Sequence, residues 1–202
     1  MKKDAKALNI FFQFWSGYVQ TDEYQRQWAR DNLHPIHVSR GELLYSHSSP
    51  QRNLYFVCQG MIAFVSTDPS IKKRKIESVA LAHNSLKTTN HLYTNTPRAG
   101  SIIALRSSLI LRIAYERVKK LKNRDPAIDI LFDVLTNREI RQHRSHISIL
   151  LSKSPFDRYR LFREKLAGIH SVMTQQEQAD YLGISKRTLQ ECQYLFLKSL
   201  NR

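Results

Sequence analysis

The chain has 202 residues, 42% hydrophobic and 24% charged, enough for a packed core in one large or two small domains, which excludes wholesale disorder. Its 32 basic and 17 acidic side chains leave a net charge of +15, which favours polyanionic partners, nucleic acid before anionic membrane. The surplus is spread along the chain, with 12 basic and 6 acidic residues from 138 onward and 20 and 11 before it, so charge alone does not place a contact surface.

No run approaches the roughly 20 apolar residues that span a bilayer, and the basic start Met1-Lys2-Lys3 is not followed by the apolar core of a secretion signal. No membrane association is expected. Cys58 and Cys192 are the only cysteines, too few within one chain for a disulfide framework or a four-cysteine iron–sulfur cluster. Both fit reduced thiols of a cytoplasmic protein.

Residues 5–32 read as helical. Leu8, Phe11, Phe12, Trp15, Tyr18 and Val19 recur at helical spacing, and a second piece over 21–32 carries Tyr24 and Trp28. From Pro35 to Glu116 the pattern changes to short runs rich in β-branched and aromatic residues. Strands are predicted at 36–38, 43–46, 54–59, 60–67, 76–81, 101–105 and 109–113, punctuated by Gly41, Pro50, Gly60, Pro69 and Pro97. Many short strands without intervening helices point to an antiparallel sandwich or jelly-roll barrel. The run Lys72-Lys73-Arg74-Lys75 falls at a hairpin tip and reads as a solvated charge cluster.

A helix follows over 115–123, and Asp125-Pro126 then opens a long one, with proline at a favourable first helical position. Ile128, Leu131, Leu135, Ile147 and Leu150, with Leu151 beside them, give it apolar stripes at both ends, and its middle, 137–146, is polar and basic. A helix of roughly 27 residues would run about 40 Å, too long to pack on one small domain. Its expected partner is a second copy of itself, with those five side chains in the seam. Ser154-Pro155 starts a helix over 156–166, with Tyr159 and Phe162 inward and Gly168 as its stop.

The last thirty residues are the most specific. Thr174 can cap a helix, with Glu177 at the capping-box position, Ala179 small enough for close helix contact, and Gly183 at a left-handed turn. Ser185 can cap the next helix, and Leu182, Ile184 and Leu189 would share a core. The first turns of that second helix carry Lys186, Arg187, Thr188 and Gln190. A helix N-terminus prefers acids, so a basic one makes sense if phosphates and base edges come to it. This is the pattern of a helix-turn-helix presenting a recognition helix to the major groove. An αα-hairpin of an ordinary core explains Ala179 and Leu189 equally well but not the basic turn. Gln178 stands where an apolar residue would serve the core better.

The order of elements resembles the Crp/Fnr family of bacterial transcription regulators over nearly the whole chain. The residues that carry the likeness are Arg40-Gly-Glu-Leu-Leu44, the segments 54–62, 94–105 and 151–159, and above all 179–189. The resemblance implies an α+β fold. A cyclic-nucleotide-binding-type, jelly-roll-like β-roll would occupy 1–124, a dimerisation helix 125–152, and a helix-turn-helix domain without a full wing 153–202. It implies a non-enzymatic, homodimeric regulator that binds double-stranded DNA, answers to a small anionic effector and works with RNA polymerase. Lys186, Arg187, Thr188 and Gln190 would meet bases or backbone. Glu191 stands where the family commonly has an arginine, and it would accept from cytosine. Thr174, Gln175 and Ser185 would contact phosphate. The cyclic-AMP-binding members use a Gly-Glu segment and a later Arg-Ser, whereas this chain has Lys87-Thr88 and Arg98-Ala99. The ribose carboxylate is missing, so cyclic AMP is not the expected ligand, and Lys87 and Arg98 would cradle another anion.

Two other readings compete. His34, His37, His47, His83 and His91 could furnish a cupin-type metalloenzyme, but no His-x-His with a following glutamate is present. Alternatively, a degenerate β-roll could serve only as a protein-interaction scaffold, without any effector.

Overall fold

A computed structural model describes residues 2–68, 73–122 and 124–200. Helix α1 (Lys2–Ser16) and helix α2 (Glu23–Asn32) precede eight strands: β1 (Leu33–Val38), β2 (Leu43–Ser46), β3 (Asn53–Gln59), β4 (Met61–Asp68), β5 (Lys73–Leu81), β6 (Ser85–Lys87), β7 (Ser101–Ala104) and β8 (Ser108–Ala114). Helices α3 (Tyr115–Leu121), α4 (Pro126–Leu150), α5 (Pro155–Lys165), α6 (Ala167–Val172), α7 (Gln175–Leu182) and α8 (Lys186–Leu200) follow. The α+β class and the β-roll are as expected. By contacts the chain divides into two compact units, one of Met1–Phe64 with Val79–Glu139, the other of Val65–Ser78 with Ile140–Arg202.

The strands form two four-stranded sheets, ordered β1-β8-β3-β6 and β2-β7-β4-β5. Strand β3 is buried at six consecutive positions, Asn53 to Cys58, because both of its faces are covered. On one side Val57, Ile62, Phe64, Ile102 and Ile110 pack inside the roll. On the other, Phe56, Leu109 and Leu111 meet Phe11, Trp15 and the start of α4. Trp15 donates its indole N–H to the Ala127 carbonyl at 3.0 Å, fixing α1 against α4. Gly60 turns β3 into β4 at φ +92°, and a Cβ there would lie 2.3 Å from the Ser108 hydroxyl. Burial pushes the Cys58 thiol up to about 12, which keeps it protonated and unreactive.

The two helical pieces expected over the first 32 residues are α1 and α2, the second opened by a reciprocal Asp22–Gln25 capping box. Several expectations need correction. Strand β6 was not foreseen; it is three residues long, below the length at which alternation can be read. Gly168 does not stop a helix but lies within α6, and the break comes at Leu166, with φ −130° and ψ 41°. Lys73, Arg74 and Lys75 begin strand β5, while Lys72 lies outside the described residues. Within α4, Ile128, Leu131 and Leu135 are buried in their own unit's core, and Leu150 is half-buried. Ile128, Leu131 and Leu135 are therefore not available to a second copy. Ile147 alone of the expected seam is exposed, in company with Ile130, Ile140 and Leu151. The helix thus carries two apolar stripes, and the inner one holds most of the residues expected in the seam.

Candidate nucleic-acid interface

The second unit holds the helix-turn-helix. Helix α7 opens with the expected capping box: Thr174 Oγ1 accepts from the Glu177 amide, and the Thr174 amide donates to Glu177 at 2.9 Å. It ends at Gly183, in the left-handed region at φ 68°, where a Cβ would be strained. The Ile184 amide donates to the Ala179 carbonyl at 3.1 Å, closing the turn. Ser185 Oγ then accepts from the Thr188 amide at 3.0 Å, capping α8. Ala179, Leu182, Ile184 and Leu189 are all buried, so the spacing builds the small core it implied.

Gln178 finds a polar purpose. It is buried, and its amide donates to the carbonyls of His170 at 3.2 Å and Met173 at 3.1 Å. These are carbonyls of the last turn and cap of α6, which lack intrahelical partners. The glutamine joins α6 to α7, a task no apolar residue could perform.

The first turn of α8 stands in solvent. Lys186, Arg187, Gln190 and Glu191 are exposed, and Thr188 is half-buried. Arg187, with 90% of its side chain accessible, pairs with Glu191 at 3.2 Å across one helical turn. Glu191 therefore holds an arginine in place rather than standing as an isolated negative charge. Gln175, at the start of α7, donates to Gln193 at 3.0 Å and accepts from Gln190 at 3.3 Å. Thr174, Gln175 and Ser185 are likewise exposed. All eight expected DNA-contacting positions thus belong to one helix-turn-helix, with α7 and α8 opening through capped N-termini.

A hairpin arm completes this unit, and sequence reasoning missed it. Asp180 of α7 is almost fully buried and receives Arg74 of β5 at 2.8 Å and Gln176 at 2.8 Å. Lys73 donates to the Ile184 carbonyl, in the turn between the two helices, at 2.9 Å. His146 of α4, also buried, sets Nδ1 at 3.2 Å from the Glu77 carbonyl and Nε2 at 2.7 Å from the Tyr181 carbonyl. Its ring lies flat on that of Tyr181, 3.7 Å between centroids. Burial lowers the His146 pKa from its usual 6.5, although both carbonyls and Glu77 favour the charged form. The one local signal was Asp180, an acid on a helix face otherwise devoted to core.

In the first unit the candidate effector residues are already engaged. Lys87 pairs with Glu139 of α4 at 2.8 Å. Thr88 is fully buried, its hydroxyl accepting from the Asn53 amide at 3.1 Å and lying 3.5 Å from the Tyr115 hydroxyl. It is not a pocket-lining residue, which corrects the expectation. The Arg98 guanidinium lies over the Phe64 ring at 3.7 Å, and Ala99 is exposed. Among the described residues no group of three or more His, Cys, Asp or Glu is placed to hold a metal ion, and no helix is long and apolar enough to cross a membrane.

Residues 35–125 match the cyclic nucleotide-binding domain family. The fold matches FixK2 from Bradyrhizobium japonicum at 16% identity, covering 83% of this chain and 85% of that one, with a TM-score of 0.69. It matches the c-di-GMP-responsive global regulator CLP of Xanthomonas campestris at 14% identity, 88% and 93% coverage and TM-score 0.69. A transcriptional regulator assigned to the Crp/Fnr family from Eubacterium rectale matches at 14% identity, 89% and 85% coverage and TM-score 0.65. No curated protein sequence matches significantly. The likeness to Crp/Fnr regulators read from the sequence is borne out in the fold, roll and helical segment together.

Proposed function

We propose that this chain, built on the Crp/Fnr regulator fold with a cyclic-nucleotide-binding-type domain, is a homodimeric DNA-binding transcription regulator of the cytoplasm. The carrying observation is the exposed basic first turn of α8 beside the Gly183 turn. Lys186 and Arg187 supply charge for phosphates or guanine edges, Gln190 reads a base edge, and Thr188 and Ser185 approach the backbone. The free amides at the α7 N-terminus, with Thr174 and Gln175, take a second phosphate. Glu191 steers Arg187 and can accept from cytosine.

The second copy joins along the outer stripe of α4. Ile130, Asn137, Ile140, Ile147 and Leu151 are exposed and fall at alternating three- and four-residue spacings once Asp133 and Arg144 are included, the pattern of a two-helix seam. Asn137 within it would favour a parallel, in-register pair. A symmetric dimer of this kind requires two half-sites about one turn of DNA apart. Double-stranded DNA and RNA polymerase are its macromolecular partners. The missing ribose carboxylate argues against cyclic AMP as effector.

Selection of bound duplexes from a random pool, at two salt concentrations, tests the reading. Enrichment of a two-fold symmetric sequence, with affinity falling steeply with salt, is expected. Failure to enrich any sequence would overturn it.

A further inference from the structure

Three glutamines link the two helices of the helix-turn-helix on their solvent side. Gln175 opens α7, and Gln190 and Gln193 stand about one turn apart on α8. The Gln190 side-chain amide donates to Gln175 Oε1 at 3.3 Å, and the Gln175 side-chain amide donates to Gln193 Oε1 at 3.0 Å. The donors run one way, from Gln190 through Gln175 to Gln193. Gln193 is half-buried, whereas Gln175 and Gln190 are exposed. A free glutamine has much rotamer freedom to lose on binding, and here part of that loss is taken before any ligand arrives. Gln190 follows Lys186 by four residues and Arg187 by three, so it shares their face of α8. An amide nitrogen carries two hydrogens. The bond to Gln175 therefore leaves Gln190 one N–H beside an oxygen that has no partner among the described residues.

We propose that this relay makes the helix-turn-helix select adenine, with Gln190 as the reading residue and Gln175 as the residue that positions it. The inference rests on the reading of α8 as a DNA-recognition helix and adds the base that it takes. In the major groove adenine alone shows an acceptor, N7, next to a donor, the N6 amino group. The remaining N–H of Gln190 fits the first and its Oε1 the second. Guanine offers two acceptors, thymine an acceptor and a methyl group, and cytosine a donor, so each leaves one side of the amide unmet. If the Gln190 amide turns over to match another base, it gives up its bond to Gln175 Oε1. Gln175 keeps a second N–H for the phosphate assigned to it.

The test is in-vitro selection of duplexes by the full-length protein and its variants, joined to side-chain amide NMR of the same proteins without DNA. The wild type should enrich one adenine per half-site whose replacement costs roughly tenfold or more in affinity. Gln190→Ala should lose that preference and keep the others. Gln175→Ala should weaken it at the same base pair and at no other. A phosphate contact alone does not give that pattern, because its loss weakens all sequences alike. Gln175→Glu keeps an acceptor for Gln190, so it should retain the adenine preference while its charge lowers affinity for every duplex. In the free protein, Gln175→Ala should shift the Gln190 side-chain amide resonances. The proposal is overturned if Gln190→Ala leaves the selected sequence unchanged, if the base that depends on Gln190 is not adenine, or if Gln175→Ala lowers all affinities equally. It is overturned without any DNA if the Gln190 amide does not respond to Gln175→Ala. A wild type that enriches a sequence but fails one of these tests loses only this inference, whereas one that enriches nothing loses the regulator reading with it.

Discussion

Arg74 and Asp180 stand 106 residues apart in sequence yet share a 2.8 Å ion pair in which the acid is almost wholly buried. The arginine comes from strand β5 and the acid from α7, the first helix of the helix-turn-helix. A buried carboxylate stripped of its cation costs more than the pair contributes. Arg74 is itself 41% accessible, so solvent screens part of the effect, and Gln176 still donates to Asp180. Arg74→Ala should destabilise the helical unit by about 1–2 kcal/mol. Arg74→Ala/Asp180→Asn should recover part of that loss, because the residual group is neutral. Urea denaturation of the four proteins in the cycle measures the coupling, and strict additivity would exclude it.

His146 makes stability depend on pH. Burial lowers its pKa in the fold below the 6.5 of the unfolded chain, so the unfolded chain binds the extra proton first. Stability from this group is complete above the unfolded value and falls as pH drops from there to the folded value, below which it is constant. His170, also lowered by burial and by Arg163, acts in the same direction. A thermal scan from about pH 8 to pH 5 should show a falling midpoint, and His146→Gln should flatten part of the slope. The two ring contacts also predict a tautomer. A neutral imidazole has one donor, and the 2.7 Å contact to Tyr181 against 3.2 Å to Glu77 predicts the proton on Nε2. Nitrogen chemical shifts of the ring check this directly, and a proton on Nδ1 would contradict the geometry.

The two stripes of α4 separate stability from assembly. Leu131 is buried in its own unit, so Leu131→Ala should cost about 2–4 kcal/mol and leave the subunit count of the folded protein unchanged. Ile140 and Ile147 are exposed, the latter at 55%, so Ile140→Glu/Ile147→Glu should hardly alter monomer stability. Placed in a two-helix seam, the same pair of carboxylates should shift a dimer to monomer in sedimentation equilibrium. A dimer that survives them would move the seam elsewhere.

These stripes also mark where the sequence was legible and where it was not. Thr174, Glu177, Gly183 and Ser185 announce their structure through neighbours within a few residues, since capping and left-handed turns are local chemistry. The β-roll was legible in its turns and alternation. Which side of α4 faces inward was not, because a helix apolar on two sides satisfies the spacing for either. Glu139 and His146, within a stretch whose composition reads as solvated, face inward because Lys87, Glu77 and Tyr181 meet them there. Such partners are set by tertiary pairing over 35 residues or more and leave no periodic trace.

Helix α8 yields the sharpest expectation of the proposed DNA binding. Lys186 and Arg187 are exposed, and Arg187 is held by Glu191 at 3.2 Å. Lys186→Ala/Arg187→Ala should abolish specific binding to a selected duplex while leaving the fold and subunit count intact. An exposed i,i+4 pair contributes little to stability, roughly 0.3–0.5 kcal/mol, so Glu191→Gln should fold normally. Its effect should be on recognition. Without the carboxylate Arg187 is free to swing to phosphates, so non-specific affinity should rise, and the salt slope should steepen by about one counterion. Discrimination between the selected sequence and random DNA should narrow. Fluorescence anisotropy across a salt series separates the two effects. If Glu191→Gln weakened specific binding with an unchanged salt slope, Glu191 would be accepting from a base rather than steering Arg187.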